Sequence, residues 1–148
     1  MSLRQRIHDE MKEAMRARDQ NRLNCIRMLL AAIKQREVDE RITLDDPAVI
    51  AVTDKLIRQR RDSVAAFRQA RREDLAAREE AEIAVLQAYM PSAASAEEVS
   101  ERIEAALLEV GASSLADMGK VMALLKPVLA GRADLAAVSQ RLRDRLAG

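Results

Sequence analysis

The sequence predicts an all-α protein of two helical lobes, an N-terminal bundle of about four helices in residues 1–90 and a three-helix lobe in residues 92–148. Three observations support this. Apolar residues recur at three- and four-residue steps along most of the chain, with no alternating strand pattern of useful length. Aromatic residues make up 1% of a chain that is 49% hydrophobic, an aliphatic composition that suits packed helices and argues against a β-sandwich or barrel. Pro91, followed by "SAAS", is the strongest break in the pattern, and 148 residues suffice for one domain or two small helical lobes.

Each helix has its own signals. Ser2 with Gln5 forms a capping box for the first helix, whose stripe is Leu3, Ile7, Met11, Ala14 and Met15. "RDQN" at 18–21 interrupts it, and a second helix over about 20–38 carries Leu23, Ile26, Leu30 and Ile33, with Cys25, Met28 and Leu29 beside them. "TLDDP" starts a third, with Asp46 as N-cap, Pro47 at the first helical position and Val49, Val52, Leu56, Val64 and Phe67 facing inward. Around "QARRED", 69–74, the apolar phase shifts without a Gly or Pro, and a break is expected there. Leu75, Ile83, Leu86 and Met90 carry the fourth helix. Beyond Pro91, Ser95 and Glu98 form a capping box for a fifth, whose Val99, Ile103, Leu107 and Val110 face inward and which Gly111 ends. Ser114 with Asp117 starts the sixth and Gly131 closes it. Asp134 caps the seventh, with Leu135, Val138, Leu142 and Leu146 inward.

Composition narrows the function. The formal charge of +1 gives no strong net field toward nucleic acid or membrane, so any basic contact must be local. Arginine outnumbers lysine 20 to 5, a bias that a GC-rich genome produces by itself, so single arginines carry little weight. The lone Cys25 excludes an intrachain disulfide and a cysteine-based zinc cluster, and it reads as a small core residue. The opening "MSLRQRIHDEMKEAM" has no secretory h-region, and no apolar run approaches the roughly 20 residues of a membrane span, which together predict a cytosolic protein without membrane contact.

Catalytic chemistry is thinly represented. His8, the only histidine, stands among charged residues with no Cys or second His near it, and reads as a solvated side chain rather than a base or ligand. Ser113 and Ser114 precede Lys120 by six or seven residues, yet helix capping accounts for them better than a Ser-Lys nucleophile. No Gly-rich phosphate loop, paired-carboxylate motif or dinucleotide fingerprint occurs, and "RREDLAAREEAEI" reads as ion-paired surface. No cofactor, no metal and no catalytic residue is expected.

The sixth helix is unusual. On a helical wheel, residues 115–129 put Leu115, Met118, Val121, Met122, Leu125 and Leu129 on a core face. The opposite side holds Ala116, Lys120, Ala123 and Pro127, with Gly119 and Lys126 along one edge. An interior Gly costs about 1 kcal/mol relative to Ala and an interior Pro about 3 kcal/mol, so both need compensation. Two explanations stand side by side: Gly119 admits a neighbouring helix and Pro127 marks a kink or an early end, or the small strip admits a partner's backbone while Lys120 and Lys126 meet phosphates. Arg58, Arg61, Arg68 and Arg72 form a second basic stripe, spanning about 21 Å if the third helix stays regular. It reads as a solvated face partly neutralised by Asp54 and Asp62, or as a secondary phosphate track. Without aromatics to stack on bases, any RNA contact reads shape and phosphate.

At these residues the chain resembles the GatB/YqeY family. "DMGKVM", "LLKPVLAGRAD" and the spacing to "VSQRL" look like the tail module of the B subunit of the tRNA-dependent amidotransferase. "IRMLLAAIKQREVD", "LIRQRRDSVAAF" and "REDLAAREEAEIAVLQAYMP" resemble the stand-alone YqeY proteins over nearly the full length. The resemblance implies a tail that helps to hold tRNA while other parts of the complex, among them a large catalytic domain of the B subunit that this chain lacks, perform the chemistry. The family label of carbon-nitrogen ligase with glutamine as amide donor therefore comes without residues here for that reaction. Met118, Gly119, Lys120, Met122, Gly131 and Ala133-Asp134 match the tail motif, and Ala123 departs from it where relatives often repeat a Gly.

The leading expectation is thus a non-catalytic adaptor that binds tRNA or associates with an amidotransferase or other translation-related protein. Its contact face would comprise Met118, Gly119, Lys120, Ala123, Lys126, Gly131 and Arg132. The alternative is a helical protein-interaction module with no nucleic-acid role.

Overall fold

A computed structural model describes all of residues 1–148, and its regular secondary structure is helical throughout, with no strand. The helices are α1 (Leu3–Arg16), α2 (Gln20–Glu40), α3 (Asp46–Gln69), α4 (Glu73–Gln87), α5 (Ala96–Val110), α6 (Met118–Leu129) and α7 (Leu135–Ala147), with a short 3₁₀ turn, Leu115–Asp117, leading into α6. The chain forms two compact units, Met1–Met90 and Pro91–Gly148.

In the first unit, α1 to α4 enclose an aliphatic core of Ile7, Ile26, Leu29, Ile33, Val49, Ile57 and Leu86, each essentially inaccessible to solvent. Cys25 belongs to this core. Its Sγ lies 3.6 Å from the Glu82 carbonyl, and burial pushes the thiol up to about 11. Met15, expected on the α1 stripe, is 47% exposed, whereas Ala14 beside it in the same last turn is fully buried in the core. Thr53, a polar residue in the core, is fully buried and donates its hydroxyl to the Val49 carbonyl at 2.8 Å, so its burial leaves no polar atom unpaired.

The turns are made without glycine. Arg18, Arg41 and Arg71 adopt left-handed conformations at φ 55°, 56° and 59°, where a residue with a Cβ is strained. Arg71 supplies the break between α3 and α4, and the Arg72 amide donates back to the Phe67 carbonyl at 2.8 Å. The start of α3 differs from the sequence reading by one residue. Asp45 is the N-cap, its carboxylate accepting from the Ala48 amide, and Pro47 follows Asp46 within the first turn. Asp46 is otherwise engaged: its Oδ1 accepts from the Leu3 amide at 2.9 Å and ties the start of α1 to that of α3.

Polar anchors hold the ends of this unit. Glu37, nearly buried, accepts from the Leu44 amide at 2.9 Å and from Arg4 at 2.7 Å. The Leu44 amide, with Arg4 as a secondary cause, holds the Glu37 carboxyl below its ordinary range. Tyr89 is buried, donates to Glu10 Oε1 at 3.2 Å and lies under the Arg6 guanidinium, 5.2 Å from its ring centre. Burial, reinforced by Glu10, pushes the Tyr89 phenol up to about 12.

The second unit is built from α5, α6 and α7 around Ile103, Leu107, Val121, Leu125, Leu129, Val138 and Leu142. Ser95 caps α5 through the Glu98 amide, Gly111 ends it at φ 67°, and Asp134 caps α7 through the Ala136 and Ala137 amides. No helix is long and apolar enough to cross a membrane.

Candidate nucleic-acid interface

The entry to α6 is set by Asp117. Its Oδ2 accepts from the Ser113 amide at 2.9 Å and the Ser114 amide at 3.2 Å, which explains the serines as turn residues rather than nucleophiles. These two N–H groups, with a smaller contribution from Lys120, hold the Asp117 carboxyl below its ordinary value. The 3₁₀ turn shifts the phase of the preceding residues. Leu115 therefore does not join the core face and stands 49% exposed. Val121, Leu125 and Leu129 are buried as expected, with Met118 and Met122 packed partly against them.

The outer side of α6 is open. Gly119, Lys120, Ala123, Lys126 and Pro127 are all exposed. A Cβ built on Gly119 meets nothing within 4 Å, so no helix approaches closely there and internal packing does not require the glycine. Gly119 is the second residue of α6, in its first turn, where its penalty shrinks, whereas Pro127 stands inside the last turn and leaves the Ala123 carbonyl without an N–H from position 127. Pro127 produces no early stop: α6 continues to Leu129, and the Ala130 amide bonds the Lys126 carbonyl at 2.9 Å. Helical geometry sets Lys126 and Lys120 on the two edges of an arc of about 120°, with Gly119, Ala123 and Pro127 between them, and about 9 Å apart along the axis. Neither lysine forms an ion pair within the protein.

Three residues expected on this face have other roles. Met118 turns inward against the core. Gly131, at φ 74°, makes the turn after α6. Arg132 is spent on its own unit: its guanidinium meets both Glu98 oxygens at 2.6 and 2.9 Å, and its Nε donates to the Ser92 carbonyl at 3.1 Å. This Arg132 fork holds the Glu98 carboxyl below its ordinary range. Glu98 thus serves Arg132, and only the Ser95 half of the expected capping box forms. Nothing local in the sequence marks this pairing, whose partners lie 34 residues apart.

In the second basic stripe, three of the four arginines are paired with acidic neighbours. Arg58 pairs with Asp54 at 3.1 Å, Arg68 with Glu73 and Glu80 at 3.2 and 2.7 Å, and Arg72 with Asp74 at 3.0 Å. Arg72 has also left the helix, since α3 ends at Gln69. Only Arg61 forms no ion pair, and it lines a shallow groove with Val64, Glu80, Ile83, Ala84 and Gln87. His8 is exposed, and no cluster of three or more His, Cys, Asp or Glu side chains comes together.

Comparison with known proteins adds relatives to this geometry. The family described as "Yqey-like protein" matches residues 4–146. Three fungal proteins, each named "Altered inheritance of mitochondria protein 41, mitochondrial", are similar to the chain. The one from Eremothecium gossypii is 40% identical over 107 residues, 70% of this chain and 58% of its own. That from Kluyveromyces lactis is 40% identical over 100 residues, covering 66% and 54%. The Pyrenophora tritici-repentis protein is 34% identical over 146 residues, covering 94% and 78%. The chain thus spans little more than half the length of the first two. The cytosolic expectation is overturned by these relatives, whose names place them in mitochondria. Lack of a recognisable leader or span in a sequence does not fix a compartment.

Proposed function

The chain belongs to the YqeY-like protein family, and from that premise we propose that it is a non-catalytic module that binds RNA of the tRNA class through the outer face of α6. The carrying observation is Gly119: a glycine without a packing reason, in a strip of small residues edged by two unpaired ammonium groups. Small side chains let a ribose-phosphate backbone come close, and the lysines meet successive phosphates as point charges. Gly119, Lys120, Ala123 and Lys126 form the contact. A tRNA-dependent amidotransferase is one setting for such a module. The names of the relatives speak only of mitochondrial inheritance, so that setting rests on the family resemblance.

The test is the affinity for bulk tRNA at two salt concentrations, for the natural protein and for Lys120→Ala/Lys126→Ala. Loss of two phosphate contacts flattens the salt dependence by about one to two units of slope. Equal slopes for both proteins would refute the site.

A second reading has its own observation. Leu124, next to the Lys120 edge, is 36% exposed and Leu115 is 49% exposed, so the same strip offers apolar contact to a partner helix. That reading expects binding indifferent to salt and abolished by Gly119→Leu.

A further inference from the structure

Arg132 carries more bonds than any binding role would leave it. Besides Glu98 and the Ser92 carbonyl, its Nη1 reaches the Val128 carbonyl at 3.4 Å, and its own carbonyl accepts from the Ala94 amide at 2.8 Å. Its side chain is mostly covered. Every one of these partners lies within the second unit, and Ser92 and Ala94 belong to the segment through which the chain enters that unit.

The first unit holds its end of the chain equally firmly. Tyr89 is buried with its hydroxyl on Glu10, the Ala88 carbonyl accepts from Arg6 at 3.2 Å, and the Met90 amide donates to the Gln87 carbonyl at 3.0 Å while its side chain packs on the core. Between the last atoms anchored in one unit and the first anchored in the other stand the ψ angles of Met90 and Pro91 and both φ and ψ of Ser92. Even these are restricted, since proline fixes its own φ and biases the preceding residue toward extended conformations.

We infer that Arg132 is a clamp that converts residues 92–95 from a flexible tether into part of the second unit. The composition "PSAAS" would otherwise be an ordinary pliant connector. Gly131 has a defined part in this. Its left-handed turn reverses the chain immediately after α6, so that both the carbonyl and the guanidinium of Arg132 meet the incoming segment. The "GRAD" portion of the family motif thereby acquires a structural task separate from the α6 surface, and the inference stands whether or not that surface binds RNA.

The test is backbone ¹⁵N relaxation on the full chain. In the natural protein, order parameters at Ala93 to Ser95 match those of helices, near ~0.85, whereas values below ~0.6 would overturn the inference. Arg132→Lys keeps the charge and the stem but loses the planar fork that spans Glu98 and Ser92. It is expected to lower the order parameters of residues 93–95 and to speed exchange of the Ala94 amide by at least about tenfold, with the Leu125 and Leu142 amides still protected. Unchanged order and exchange in a folded Arg132→Lys protein would equally overturn it. If the variant fails to fold, the order parameters of the natural protein decide the matter by themselves.

Discussion

Replacing Gly119 by alanine should make the protein more stable and a poorer binder of RNA, two effects that ordinary packing damage could not produce together. A new Cβ at Gly119 meets nothing within 4 Å, and the backbone there is ordinary helix, so the methyl creates neither clash nor strain. The stabilising term is the restricted freedom of the unfolded chain and the better helix propensity of alanine, about 0.5–1 kcal/mol in a helix interior. Gly119 sits in the first turn of α6, which places the gain at the lower end, about 0.5 kcal/mol. For a unit of this size 1 kcal/mol corresponds to about 4–8 °C, so Tm should rise by roughly 2–4 °C in the transition that unfolds Pro91–Gly148. Scanning calorimetry on the full chain measures this directly. A fall in Tm would mean that the glycine is packed after all, and would remove the observation on which the binding surface rests. A rise in Tm with undiminished tRNA affinity would leave the stability argument intact and refute close approach of RNA at this position.

Further expectations concern the rest of the fold. Arg71→Gly relieves a left-handed backbone at φ 59° and should stabilise the first unit by about 1 kcal/mol in urea unfolding; no change would mean that Arg71 makes a compensating contact. Leu125→Ala, at a side chain 1% exposed, should cost about 2–5 kcal/mol, read as loss of the second unit's transition while that of the first is retained. The phenol of Tyr89, the only tyrosine, is held at about 12 against an ordinary value of about 10, so its proton is kept more tightly in the folded state. Its stability contribution is complete below about pH 10 and is lost as the pH rises toward 12. Tyrosinate absorbance in the folded protein should therefore appear only near pH 12 or on unfolding, and a midpoint near 10 in folded protein would contradict the buried Tyr89–Glu10 contact.

Much of the helical architecture was legible because its signals are local. Ser2, Ser95 and Asp134 cap the helices they were expected to cap, and the glycines at 111 and 131 take the left-handed positions that end α5 and α6. The discrepancies arise where one residue had to choose between a local and a distant partner. Asp46 is as good a cap as Asp45, yet it is taken by the Leu3 amide, 43 residues away. Glu98 has the spacing of a capping box, but Arg132 claims it. The break at Arg71 carries no glycine to announce it, and the turn at 115–117 rotates Leu115 off a stripe that a uniform wheel had assigned to the core. The arginine stripe on α3 was visible in sequence, but the Glu80 that neutralises Arg68 comes from the next helix. On α6 the reverse holds: the exposed lysines and small residues could be placed by periodicity alone, whereas the open space around Gly119 required the structure.

The central claim concerns where RNA would touch the protein, and an amide-resolved titration of the ¹⁵N-labelled full chain with bulk tRNA tests it most directly. The account predicts the largest perturbations at Gly119, Lys120, Ala123 and Lys126, with Arg58, Arg68 and Arg72 unaffected because their charges are already paired. Perturbations centred on α3, or none at saturating tRNA, would contradict it.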